Sequence, residues 1–234
     1  MTHIAVHERR SLAPVIPALG GALPAITGIW VMLLGASVLQ DLMVPSSDKV
    51  WLLDVDAERS IYTWFSQLLL AGAAVLMFDT AGRLRPSERK LAFHWFVLSG
   101  LFLILSMDEG LALHERVSGL VRSAVATGGY FYFAWVLPAA AFCAVGLLMA
   151  RPFILSFRGR SRLLLIVSAA IFLAGAIGME MVGSKIFYEA ESQGGLAYRL
   201  SVNLEEGLEG LGLLILIYAL TLYRQASSSH GDRV

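Results

Sequence analysis

Apolar residues occupy this chain in six long blocks separated by short polar stretches. A helix needs about 20 mostly apolar residues to cross a bilayer. Six segments meet that requirement: 16–40, 61–78, 91–110, 130–150, 163–183 and 202–223. The stretch from His7 to Arg10, followed by an apolar run, has the outline of a signal peptide. The run is longer than the usual core of such a peptide, so an uncleaved first span is expected. Beyond Gly110 the pattern continues in weaker form. Val117, Leu120, Val121, Ala124 and Val125 recur at helical spacing, so the third helix either projects past the surface or bends to lie along it. The chain is expected to be all-α, a polytopic membrane protein built as a six-transmembrane-helix bundle. Residues 1–225 form a single six-span membrane domain in this reading, and 226–234 a disordered polar C-terminal tail.

The connections give the orientation, because short cytoplasmic loops collect Lys and Arg. Twelve of the 18 basic residues fall on the side of the two termini, four in each of the loops 79–90 and 151–162. Both termini are therefore expected in the cytoplasm, with the bundle in the cytoplasmic (inner) membrane. Trp30, Trp51, Trp64, Trp95 and Trp135 fall mostly near span ends, as an interfacial belt would. Gly175, Gly178 and Gly183, then Gly207, Gly210 and Gly212, offer small faces for close helix contact.

Composition agrees. The chain is 57% hydrophobic and 15% charged, against about 25% charged in soluble domains, which argues against a water-soluble fold. The formal net charge of zero divides into a basic cytoplasmic side and an equally acidic outer side. Cys143 has no partner, so disulfide, Cys-x-x-Cys redox and finger-type zinc chemistry are absent. No phosphate-binding glycine loop and no basic stripe with interleaved aromatics occurs, which argues against nucleic acid. The expected partners are the lipid bilayer, a lipid or amphiphilic substrate, and a membrane protein or second copy of this chain.

The informative residues are acids inside the spans. Span three carries Asp108 and Glu109, followed by His114 and Glu115; span five carries Glu180; span six carries Glu205, Glu206 and Glu209. Spans three and five run outward and span six runs inward, so all three groups reach one depth in the outer third of the bilayer. An ionised carboxylate at a span centre costs about 2.5–3.5 kcal/mol on insertion scales, which drives these groups into the bundle interior. Asp108 and Glu115 are seven apart and share a helical face, while Gly212 shares a face with Glu205 and Glu209 and leaves room beside them. Carboxylates from three helices with one imidazole suit a divalent metal: zinc, iron, manganese or calcium. The expected ligands are Asp108, His114, Glu115, Glu180, Glu205 and Glu209, with Glu109 as catalytic general base. Glu206 pairs with Asn203 as a capping box in the first turn of span six. Asp41, Asp54, Asp56 and Glu58 are expected to be solvated loop residues. These features suggest a metal-dependent intramembrane hydrolase acting on a lipid or amphiphile. A non-catalytic subunit or assembly factor with a structural cation site, and a proton- or cation-coupled transporter component, remain open alternatives.

Overall fold

The computed structural model describes residues 15–84, 86–190 and 195–231, and no strand occurs among them. The helices are α1 (Val15–Met43), α2 (Ile61–Arg83), α3 (Arg89–Leu111), α4 (Leu113–Ala124), α5 (Val136–Ser156), α6 (Gly159–Leu173), α7 (Glu180–Ala190) and α8 (Leu196–Gly231). A wide π-helical turn, Ala174–Met179, joins α6 to α7 in one rod. Six helices are long and apolar enough to cross a membrane: α1, α2, α3, α5, the α6–α7 rod and α8. They overlap the six apolar blocks. The starting points differ most in α5, which begins at Val136 after a tight turn over Gly129–Phe131, and in α8, which begins at Leu196. Since α8 runs to Gly231, the polar segment expected as a tail over 226–234 begins within it; 232–234 lie outside the described residues.

The central helices are α2 and α8, each with half of its apolar window buried. One half of the bundle, at the end carrying the basic loops, is an apolar core. Leu69, Leu70, Ala73 and Met77 of α2 meet Leu213, Leu214, Ile217 and Leu220 of α8 there. Trp95 of α3 packs edge-on against Phe153 at a centroid distance of 4.9 Å, and Phe157 meets Tyr223 at 5.2 Å. This aromatic cluster holds the far end of α5. Beside it, Asp79 pairs with Arg83 and with the buried Arg224. Buried hydroxyls stitch the helices together: Ser99 donates to the Ala74 carbonyl at 2.8 Å and Ser168 to the Gly212 carbonyl at 2.9 Å.

Two glycines set the approach of the α6–α7 rod to α8. A Cβ on Gly212 would meet the backbone nitrogen and Cβ of Phe172 at 2.8 Å, and one on Gly175 would meet the Glu205 carbonyl at the same distance. Gly212 therefore leaves no room beside carboxylates, contrary to expectation; Phe172 fills that space. Gly178 has nothing within 4 Å of where its Cβ would be and makes no close contact.

The third helix does not continue past its apolar block. Ala112 takes a left-handed conformation, φ 47° and ψ 49°, between α3 and α4. This conformation is unfavourable for a residue with a Cβ. The bend changes which residues share a face: Asp108 and Glu115 lie on different helices, and their seven-residue spacing no longer aligns them.

The packing yields a prediction. Gly212→Ala should destabilise the protein by about 1–3 kcal/mol, the usual cost of overpacking a tight contact. Thermal unfolding in detergent checks this, with Gly178→Ala expected to leave the transition where it is.

Candidate functional site

Charged groups at the other end of the bundle, the acidic end, form two assemblies. The first is centred on Arg199 in the first turns of α8, whose side chain is 8% exposed. Its Nε donates to Asp41 Oδ1 at 3.2 Å, its Nη1 to Asp56 Oδ2 at 2.8 Å, and its Nη2 pairs with Asp54. Asp41 is wholly buried and also takes Lys49 Nζ at 2.5 Å and Asn203 Nδ2 at 2.6 Å. Asp41, Asp54 and Asp56 are thus ion-paired rather than simply solvated, whereas Glu58 is exposed. The loop that supplies them is pinned further: the Val50 amide donates to Gln40 Oε1 at 2.7 Å, and Val55 is buried against Leu33, Tyr62, Tyr198 and Val202.

The early start of α8 also overturns the capping box. Asn203 lies two turns into the helix, where its Nδ2 donates to Asp41 and, at 2.9 Å, to the Arg199 carbonyl. Glu205 and Glu206 are therefore interior helix residues, and the dipole of a first turn cannot account for them.

These glutamates belong to the second assembly. Glu205 and Glu209, one turn apart on α8, face the π-helical turn, where Gly175 lets the two backbones close together. That approach brings Glu180 within hydrogen-bonding reach of Glu205. Glu206 and Glu209 both feel the charges of Glu109 on α3 and of Glu180. All five glutamates keep partial solvent exposure. Among the described residues, no Lys or Arg lies within ion-pair distance of any of them. Tyr62 of α2 donates to the Glu206 carbonyl at 2.7 Å, and the Gln67 amide occupies the space left by Gly110, next to Glu109.

His114 is built into the site by the bend. The Asp108 carboxylate accepts the His114 backbone N–H at 2.7 Å on Oδ1 and meets ring Nδ1 at 3.2 Å on Oδ2. It caps α4 and orients the ring at once. Burial opposes the charged imidazolium, but the Asp108 hydrogen bond and charge outweigh it and hold the His114 pKa above its ordinary value. With Nδ1 engaged by Asp108, Nε2 of the neutral ring is the free acceptor. Trp135, at the start of α5, sits 5.4 Å from the imidazole between ring centroids and donates its Nε1–H to Glu180 Oε1 at 2.6 Å. Its own amide donates to Ser118 of α4.

The structure thus brings together Glu109, Glu180, Glu205, Glu206 and Glu209, with the Asp108–His114 pair joined through Trp135. Glu115 stands apart, exposed on α4. No three His, Cys, Asp or Glu side chains among the described residues are already grouped closely enough to hold a metal ion. Sequence reasoning missed Arg199, Gln67 and Trp135. The available signals were a base just before the last apolar block, a glutamine inside the second, and a tryptophan inside the fourth shortly after Gly128 and Gly129.

Residues 25–223 match a family described as "Domain of unknown function (DUF8692)", and the chain belongs to it; the match contains both charged assemblies. No curated protein and no solved structure matches the chain.

The Asp108–His114 pair is testable by titration. Asp108→Asn keeps an acceptor for the α4 cap but removes the charge, so burial is then opposed only by the Glu180 and Glu115 charges and the His114 midpoint should fall. Histidine NMR in micelles, with His114→Gln to identify the resonance, checks the sign. The pair's stabilisation should be full below about pH 6.5, the ordinary histidine value, and be lost as pH rises through the elevated His114 pKa.

Proposed function

We propose that the protein is a multi-pass protein of the cytoplasmic membrane with both termini in the cytoplasm. In this reading the glutamate assembly opens toward the outer face, binds a divalent cation and uses it to hydrolyse a lipid or amphiphile. One observation carries the cation: five partly exposed glutamates act on one another's charge, and among the described residues no Lys or Arg pairs with any of them. Carboxylates without partners in a low-dielectric setting require bound cations or bound protons. The neighbouring imidazole with a free Nε2 favours a metal that accepts nitrogen, such as zinc, iron or manganese, over calcium.

The roles follow from what each group touches. In this reading His114 Nε2, Glu180, Glu205 and Glu209 are the candidate ligands. Asp108 spends its oxygens on His114 and acts by orienting it, as carboxylates behind metal-bound histidines do. Trp135 orients Glu180 in the same way. Glu109, on the facing helix, is the candidate general base for a water whose pKa the metal lowers. The orientation rests on the basic loops at the opposite end. A transport path has less support, because the apolar core of α2 and α8 closes the basic half of the bundle beneath the glutamates.

Elemental analysis after purification without chelators tests the site. Wild type should carry stoichiometric zinc, iron or manganese, and His114→Ala, Glu180→Gln and Glu205→Gln should each lose most of it. Equal metal in all four samples would overturn the assignment. Orientation is tested separately: alkaline phosphatase should be inactive when fused after Gln225 and active when inserted after Ser47. The reverse pattern would invert the topology.

A further inference from the structure

The helix α4 presents three different faces. One meets protein: Ser118 is buried and accepts the Trp135 amide at 3.1 Å, and His114 reaches Asp108 and the Trp135 ring. A second is polar and exposed, with Glu115, Arg116, Gly119, Arg122 and Ser123. The third is apolar and increasingly uncovered along the helix. Val117 is 36% and Leu120 71% exposed, and Leu113 and Ala124 fall on the same stripe at helical spacing.

An apolar stripe of this kind next to a charged arc is the pattern of a helix lying in a membrane interface. Two observations choose the bilayer as its occupant over a protein partner. The stripe is continuous with lipid-facing surface, because α4 follows the outer end of α3, where Leu111 is 52% exposed and Met107 50%. It also continues into an exposed aromatic turn, with Tyr130 46% and Phe131 40% exposed. Cations flank that turn as they would at headgroup level, with Lys185 Nζ 4.8 Å from the Tyr130 ring centroid and the Arg122 guanidinium 5.0 Å from that of Tyr132. His114 and Ser118 both reach Trp135, so the first turns of α4 stay level with the start of α5.

We propose that α4 lies in the plane of the outer leaflet with Leu113, Val117, Leu120 and Ala124 in the acyl boundary, holding His114 at headgroup level. This deepens the functional reading above and rests on the six long helices being membrane spans. It makes the side of the bundle beside α4 the entry to the glutamates, and a membrane lipid, its polar group at the depth of His114, the class of molecule that arrives there.

Single nitroxides test the placement in protein reconstituted into phosphatidylcholine–phosphatidylglycerol vesicles, after Cys143→Ser. Labels enter at Val117→Cys, Leu120→Cys and Ala124→Cys on the stripe, Arg116→Cys and Ser123→Cys on the polar arc, and Leu103→Cys and Ile104→Cys on exposed α3 positions. The stripe labels should collide several-fold more with oxygen than with a water-soluble nickel chelate, relative to the polar arc, with helical periodicity through 116–124. Water-accessible labels all round α4, or protection of every label by a bound protein, would overturn the proposal. The α3 labels separate the two readings. If they are oxygen-exposed while the stripe is wet, α4 is misplaced and the spans stand; if they are wet too, the membrane reading itself fails.

Discussion

Much of the acidic end is arranged by one guanidinium. Arg199 ties α8 to α1 through Asp41 and to the loop before α2 through Asp54 and Asp56. Asp41 has no exposed side-chain surface, so removing its cationic partner would leave a buried charge with only Lys49 and Asn203 to answer it. Breaking a buried pair in this way costs about 3–5 kcal/mol. The same clamp defines the second assembly by exclusion. Arg199, about two turns before Glu205 and Glu206 on α8, is spent on the aspartates, and among the described residues no other Lys or Arg pairs with the five glutamates.

The bundle is divided along its length by this distribution of charge. Its basic half is closed by leucines and an aromatic cluster, and a buried base there, Arg224, meets Asp79. Its acidic half holds five partly exposed glutamates above that core. The unpaired acids are thus gathered at one end of the bundle, above a closed apolar half. That geometry favours binding and reaction at a surface over passage between two.

The long helices were legible because hydropathy is a local, one-dimensional signal. The convergence of Asp108, Glu109, Glu180 and Glu209 was legible as well, because alternating helix direction returns every second connection to the same end. What could not be read was contact between distant parts of the chain. Arg199 and Asp41 lie 158 residues apart, and neither position carries a local sign of the other. The capping box at Asn203 failed for a related reason. Hydropathy marks where lipid-like sequence begins, whereas the helix begins at Leu196, among polar residues stabilised by tertiary ion pairs. The bend at Ala112 was open in the sequence because alanine itself favours helix. Asp108 decides it, by offering one oxygen to the next helix's N–H and the other to an imidazole.

The π-helical turn is the remaining piece of local structure that the site needs. A π turn places one residue more per turn than an α-helix, and each residue of an α-helix advances about 100° around the axis. Were Ala174–Met179 ordinary α-helix, everything after it would be rotated by roughly that amount relative to α6. The contact of Phe172 with Gly212 of α8 fixes the rod before the turn, and the bond from Trp135 fixes Glu180 after it. The wide turn reconciles the two. It lets α6 lie flush against Gly212 while Glu180 still turns toward Glu205, so close helix packing and a shared carboxylate space occur on the same pair of helices.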